Sequence, residues 1–395
     1  MDSGFKTLFD APVTPKCLVS IVIPVRDEAE NLAKVLDAFA NQVDLQNCPL
    51  DSDIYEVIVL ANNCRDVSAE TAREWQKRNP RIKLHVAEIF LSPKHSNIGF
   101  VRRRLMNEAF RRLTAKKSGG GIIATTDGDT LVAPDWIAAT IEEIKRGADA
   151  VGGRILMGAA ELAQMNERAR YFHLLDEEYR LLVAEYECHL DRLCHDVFPR
   201  HHQHFNGSFA VTTEAFKLAG GIPEVPFLED IAFYHALLRI DAKVRHSPAV
   251  RVFTSSRHSG RSKIGLSFQL NEWKKLGENG AILTVEPASA IRGKVLARRI
   301  LRRMWLAAES GDYPKVKTVA ALARQICVPR RLIFNQLKKP QTFGSLLEKI
   351  YGRQHRSRRW HRRNPPVEVT AAIADLKSKL ESSRAENGLF KTKAN

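Results

Sequence analysis

Residues 18–24, Leu-Val-Ser-Ile-Val-Ile-Pro, form an almost unbroken apolar run, and similar short runs recur at 55–60, 82–86, 121–124 and 148–153. Continuous apolar runs of this length predict strands covered on both faces. Between them lie stretches of helical periodicity at 27–40, 67–78, 98–114 and 134–146. In the first, Asp27 is placed to cap the helix, and Leu32, Val35, Leu36 and Phe39 share one face. Pro134 takes a favoured first-turn position in the last. Parallel strands need crossovers, and alternating strands and helices supply them. The expectation is an α/β fold with a mainly parallel sheet flanked by helices, binding ligands beyond the carboxyl ends of its strands.

The loop leaving the first strand, Pro24-Val25-Arg26-Asp27-Glu28, contains no glycine. A dinucleotide-binding domain needs GxGxxG there and is disfavoured. The fourth run ends in Thr125-Thr126-Asp127-Gly128-Asp129-Thr130. Carboxylates two residues apart lie on one side of extended chain, and Gly128 allows a tight turn without obstructing a ligand. Such hard oxygen donors suit Mg²⁺ or Mn²⁺ carrying a diphosphate. An ordinary Asp-Gly surface turn is an equal reading of these residues alone. An EF-hand is disfavoured, because Leu131 stands where that loop needs an oxygen ligand.

Residues 160–193 predict one long helix. A histidine-rich loop follows, with His195, His201, His202 and His204 ahead of Phe205-Asn206-Gly207-Ser208. Cys188 and Cys194 raise the question of zinc, but the spacing fits no structural zinc pattern. A short strand at 209–211 precedes a helix at 214–219 closed by Gly220-Gly221. Glu229 and Asp230 lie near the start of a helix running to 239; there they favour the helix dipole, or one of them removes a proton from a hydroxyl. Short strands at 243–244 and 250–253 lead into a basic loop, 254–261, whose Arg257 and Arg261 could clamp phosphates, a solvated turn being an equal reading.

From 266 the chain reads as helical and basic, with 351–366 a linker, 367–382 a short helix and the final dozen residues unstructured. Charge is uneven. Residues 291–395 hold 25 Lys+Arg against 7 Asp+Glu, a surplus of 18 within a total of +16, so the remainder is at −2. This basic quarter can bind an anionic membrane surface, nucleic acid or an acidic partner, and a membrane-surface or nucleic-acid-binding protein is an alternative function. Residues 292–308 are the candidate surface helix, with packing against the core the commoner outcome, and since no nucleic-acid motif is recognisable no nucleic acid is expected. A solvated helical surface is an equal reading. No run reaches the length of a membrane span, the first residues show no signal-peptide pattern, and six scattered cysteines form no CxxC. A cytoplasmic protein is expected, at most peripheral to the inner face of the membrane.

In order and spacing, residues 18–262 resemble the family 2 glycosyltransferases of GT-A fold, in particular a soluble bacterial subgroup. The resemblance rests on 19–28, on Asn97-Ile98-Gly99 through Arg104, on Asp127-Gly128-Asp129, on 209–221, on Glu229-Asp230, and on the arginine loop at 254–261. It implies a GT-A, Rossmann-like sheet with a nucleotide-sugar half at 18–155 and an acceptor half at 156–265. A lead at 1–17 precedes them, and a basic helical extension at 266–350 and a linker and tail at 351–395 follow. It further implies a metal-dependent, inverting glycosyltransferase, of hexosyltransferase type, that uses a nucleoside diphosphate sugar and a divalent metal, Mg or Mn. Pro24, Arg26, Glu28, Asn62, Asn97, Arg104, Asp127, Gly128, Arg257 and Arg261 would surround the donor, with Asn62 where many members have an aspartate. Asp129, with Asp127, would bind the metal. Asp230 would be the catalytic base, and His204, Asn206, Gly207, Gly220, Gly221 and Glu229 would lie on the side of the acceptor, a saccharide, lipid or small molecule. A sugar nucleotidyltransferase is the alternative enzyme; it normally has a Gly-rich basic loop where Pro24-Val25-Arg26-Asp27 stands.

Overall fold

The computed structural model describes residues 7–116, 119–254 and 265–391, with backbone only at 266, 267 and 383–391. The chain begins with β1 (Val19–Val25), α1 (Ala29–Ala40), β2 (Tyr55–Asn62), α2 (Ser68–Arg78), β3 (Leu84–Ile89), α3 (Ile98–Ala115) and β4 (Ile122–Thr126). Next come β5 (Thr130–Val132), α4 (Trp136–Lys145), β6 (Ala150–Met157), α5 (Ala159–Gln164) and α6 (Glu167–Leu190). Then follow β7 (Ser208–Thr212), α7 (Thr213–Leu218), α8 (Glu229–Arg239), β8 (Val244–Thr254) and α9 (Leu266–Glu278). The chain ends with β9 (Thr284–Val285), α10 (Ala288–Glu309), α11 (Val316–Gln325), α12 (Arg330–Leu337), α13 (Phe343–His355), α14 (Arg358–Arg363), β10 (Val367–Glu368) and α15 (Val369–Lys391).

The chain divides into two compact units, one of residues up to 166 with 203–237 and 242–272, the other of 167–202, 238–241 and 273 onward. The first is built on an eight-stranded sheet in the order β3-β2-β1-β4-β7-β6-β8-β5. Strands β1 to β4 run parallel, β7 is antiparallel to both its neighbours, β6 and β8 are parallel, and β5 closes the edge antiparallel to β8. The expected α/β architecture with a mainly parallel sheet is thus present. β1, β2 and β4 are buried along their whole length, as their apolar runs require.

The second unit is helical, with one apolar core among α10 to α13 and another among α6, α10 and α15. Arg298 and Arg302 of α10 point at Asp191, 3.0 Å from its carboxylate oxygens, so the expected membrane-surface helix turns part of its charge inward. The stretch expected to be a linker instead carries the end of α13 and all of α14, pinned by the buried Trp360, and the expected loose tail continues α15 to Lys391. The sequence hid this because arginine-rich surface helices lack a broad apolar stripe. The expected single helix at 160–193 is broken at Met165 and Asn166.

A buried polar cluster fixes α3 to the amino ends of the strands. Arg112 of α3 donates to Glu56 at 2.6 Å, Ser20 donates to the same carboxylate at 2.8 Å, and His85 Nε2 lies 3.2 Å away. Burial pushes the Glu56 carboxyl up, but the bonds from His85, Arg112 and Ser20 outweigh it and bring it down to about 2. Glu56 therefore gives up its proton more readily folded than unfolded; its stabilisation is complete above about pH 4.5 and is lost as pH falls toward 2. Replacing Arg112 with Met strands a buried charge and is expected to cost about 3–5 kcal/mol in urea denaturation at neutral pH. The difference from the wild type should shrink as the same titration is taken toward about pH 2, where Glu56 protonates.

Candidate active site

The candidate site forms where β1, β2 and β4 end. Gly128 packs beneath the β1 loop so closely that a Cβ on it would lie 3.2 Å from Glu28 Cγ and from Val25 Cγ2, and 3.4 Å from the Pro24 carbonyl. The Asp-Gly-Asp turn is thus set directly against Pro24 to Glu28, and a side chain on Gly128 would be crowded there. Asp127 Oδ2 would similarly lie 3.1 Å from a Cβ on Gly207, so the bare backbone ahead of β7 leaves room for that carboxylate. Thr126 donates to the Gly207 carbonyl at 2.9 Å and ties the two segments together.

At the centre lies Arg102, from the second turn of α3 and 3 % exposed. It donates to Asp127 Oδ1 at 2.6 Å, to Glu229 Oε1 at 3.2 Å, to Thr125 Oγ1 at 2.5 Å and to the Asn206 carbonyl at 3.3 Å. Although burial works against the charged guanidinium, Asp127 and Glu229 hold its pKa above the usual arginine value. One buried cation therefore connects the Asp-Gly-Asp turn, β7's approach loop and the start of α8. Asn206 donates to Glu229 at 3.4 Å, and its Oδ1 is buried without a hydrogen-bond partner among the described residues. Leu228 takes φ 56°, a left-handed geometry costly for leucine, immediately before Glu229 and Asp230 open α8.

Asp230 is partly exposed, and its carboxylate accepts from the Ile231 N–H at 2.8 Å. Burial, then the adjacent Glu229 charge, raise its pKa against the opposing pull of Arg102. A partly exposed carboxylate with a raised pKa is chemically able to accept a proton near neutral pH. Four residues along α8 from Asp230, Tyr234 stacks on His204 with ring centroids 3.8 Å apart.

The other expected site residues divide. Pro24 pairs with Leu60 inside the sheet, and the half-buried Arg26 donates to Ser96 at 3.3 Å. The Glu28 N–H donates to Ser68, while its carboxylate accepts from Asn31. Asn62 is buried as the last residue of β2. Asn97 caps α3, accepting from the Phe100 N–H at 3.0 Å. Gly220 and Gly221 adopt φ 80° and 74° after α7, the left-handed conformation of a helix C-cap. Arg257 and Arg261 lie outside the described residues; β8 ends at Thr254, which pairs with Thr130, the residue after Asp129.

One expectation is corrected, that for Asp27, and one residue is added. Arg102, two positions before Arg104 and so about 200° away around the helix, is the arginine that reaches Asp127, while Arg104 has Glu108 as its charged neighbour. The signal was present, because Arg102 falls in phase with the buried Leu105, Met106 and Ala109, whereas Arg103 and Arg104 do not. Asp27 does not cap α1; at φ 53° it turns away and accepts from the Arg65 N–H at 2.6 Å, while Asp66 accepts from the Ala29 N–H.

For a metal, Asp127 and Asp129 offer oxygens at a strand end, and Asp127 keeps 41 % of its side chain exposed despite Arg102. Hard, partly hydrated carboxylates fit Mg²⁺ or Mn²⁺, which retain water and phosphate ligands. Among the described residues, the one group of three candidate ligand side chains within 4.8 Å of one another is Asp27, Cys64 and Asp66. Its carboxylates already accept from backbone N–H groups and from Ser68, which is the bonding of a structural turn.

The model of the family described as Glycosyl transferase family 2 matches residues 20–198. The match spans 179 of the 395 residues, a little under half of the chain. This family segment spans the Asp-Gly-Asp turn and Arg102 and stops before Asn206 and Asp230. Over 138 residues the chain is 29% identical to the glycosyltransferase AglE of Haloferax volcanii, covering 35% of this chain and 39% of that protein, well under half its length. Among solved structures it is similar to a mannosyltransferase, PcManGT, from Pyrobaculum calidifontis in complex with GDP-Man and Mn²⁺ (17% identity, 89% and 91% of the two chains, TM-score 0.41). It is also similar to S. aureus TarS 1–349 in complex with UDP-GlcNAc (11% identity, 86% and 92%, TM-score 0.43).

Removing Arg102 leaves Glu229 buried without its cation. Arg102→Met is expected to cost about 3–5 kcal/mol in chemical denaturation, whereas Arg104→Met should change stability by about 1 kcal/mol or less.

Proposed function

We propose that the chain is a metal-assisted, inverting glycosyltransferase that moves a sugar, of hexosyl type, from a nucleoside diphosphate sugar to an acceptor hydroxyl. The observation that carries this reading is the arrangement around Arg102, which sets a carboxylate turn for the donor and a carboxylate with raised pKa for the acceptor about one buried guanidinium. The family match over residues 20–198 supports the same class.

A Mg²⁺ or Mn²⁺ held by Asp129, with Asp127 beside it, would supply Lewis-acid stabilisation of the charge growing on the departing diphosphate. Arg102, buried, acts on Asp127 by holding its carboxylate in place rather than by touching a ligand. Pro24 to Glu28 and Asn62 border the donor. Asp230 takes the proton of the acceptor hydroxyl as its oxygen attacks the anomeric carbon. The bond from that carbon to the diphosphate oxygen breaks, and the nucleoside diphosphate leaves with the electron pair. Attack from the face opposite the leaving group inverts the anomeric centre. His204, Asn206, Gly207 and Glu229 lie on the acceptor's side, and the acceptor is a saccharide, lipid or small molecule. Release of pyrophosphate in place of a nucleoside diphosphate would instead mark a nucleotidyltransferase. All six cysteines are free, which suits a reducing cytoplasm, and among the described residues no helix is long and apolar enough to cross a membrane.

Asp230→Asn is expected to lower kcat by about 10²–10⁴-fold, with donor affinity within about threefold of wild type, in a nucleoside diphosphate release assay paired with calorimetry. Full activity in this variant would remove Asp230 from the role. The working form of Asp230 is the carboxylate, so kcat/KM should fall on acidification, at a pH above the ordinary aspartate value of about 3.9. Chelation of divalent metal should abolish turnover, and adding back Mn²⁺ or Mg²⁺ should restore it; turnover that survives full chelation would contradict the metal's role.

A further inference from the structure

From Arg353 to Arg363 the chain carries six arginines and two histidines, with no acidic residue between Glu348 and Glu368. All eight side chains are exposed. Among the described residues, none of the six arginines is in an ion pair, and the acidic residue before them, Glu348, pairs with Arg239 at 2.7 Å. This differs from α10, whose Arg298 and Arg302 are drawn inward by Asp191.

The segment is also held in place. Trp360 is buried, with Lys294 6.0 Å from its ring centroid, and Ser357 caps α14. Gln354 is buried and donates to the Ile326 carbonyl at 3.3 Å, while Arg363 donates to the Arg324 carbonyl at 2.9 Å. Arg324, itself exposed, thereby joins the same face. The result is a fixed, uncompensated cationic surface, dense enough to repel itself unless an anionic surface neutralises it.

We propose that this α13–α14 surface docks the protein on an anionic lipid bilayer. Two features favour a bilayer over nucleic acid. The segment's one tryptophan is buried, so it offers no stacking platform for bases, and α14 is too short to lie along a groove. No large apolar side chain is exposed between 353 and 363. Binding is therefore electrostatic and reversible, and it weakens as salt shortens the reach of each charge. The inference is independent of the sugar-transfer reading.

The test is flotation of the full chain with vesicles of phosphatidylcholine alone and with vesicles carrying about one third phosphatidylglycerol. Binding is expected only to the anionic vesicles and should be lost in high salt. Replacing Arg356, Arg358, Arg359 and Arg362 together with Gln should reduce the bound fraction at least about tenfold, with an unchanged melting temperature. The same four changed to Lys should retain binding. A control with Arg330, Arg331, Lys338 and Lys339 changed to Gln should bind as wild type. The proposal fails if the wild type does not float, if the control loses as much binding as the patch variant, or if the Lys variant loses binding. It also fails if single-stranded RNA binds the same patch at least as tightly as the anionic vesicles.

Discussion

The site depends on one buried guanidinium. Arg102 is taken out of water, and that placement is tolerable only because Asp127, Glu229, Thr125 and the Asn206 carbonyl together accept from it. Those partners come from three separate stretches of chain: the end of β4, the approach to β7 and the start of α8. A cation that must be satisfied from three directions specifies how those stretches meet. The Asp-Gly-Asp turn and the Glu229-Asp230 pair are 100 residues apart in sequence, and this is the contact that makes them one site.

Helix α3 has a matching requirement at its other end. Arg112 is buried against Glu56, Ser20 and His85 at the amino ends of the strands, while Arg102 is buried at their carboxyl ends. Ten residues of helix separate the two, about 15 Å of rise. The helix is thus fixed against the sheet in both translation and rotation, and a one-residue slip would bury Arg103 or expose Arg102. Such fixed polar contacts confer precise placement on the groups they hold, more than net stability.

Much of this was legible in the sequence. The unbroken apolar runs gave the strands because a strand covered on both faces has no polar side to show. Asp127-Gly128-Asp129 was visible as a pair, while its packing against the β1 loop through Gly128 was not. Arg102 does not stand out by motif spacing, yet it lies in helical phase with the buried positions Leu105, Met106 and Ala109. The short strand β5 and the pairing of Thr130 with Thr254 were not legible, since three residues of edge strand carry too little pattern. Nor were α13 and α14, whose arginines read as a linker until the buried Trp360 and Gln354 show what anchors them.

In the proposed reaction one base, Asp230, lies on one side of the reacting carbon and the diphosphate-handling turn on the other, which requires a single displacement. The most direct measurement is the anomeric configuration of the product, read from the proton NMR coupling of the newly formed glycosidic linkage with any donor that supports turnover. An α-linked donor should yield a β-linked product. An α-linked product would mean retention, and would contradict the division of labour between Asp230 and the Asp127-Gly128-Asp129 turn.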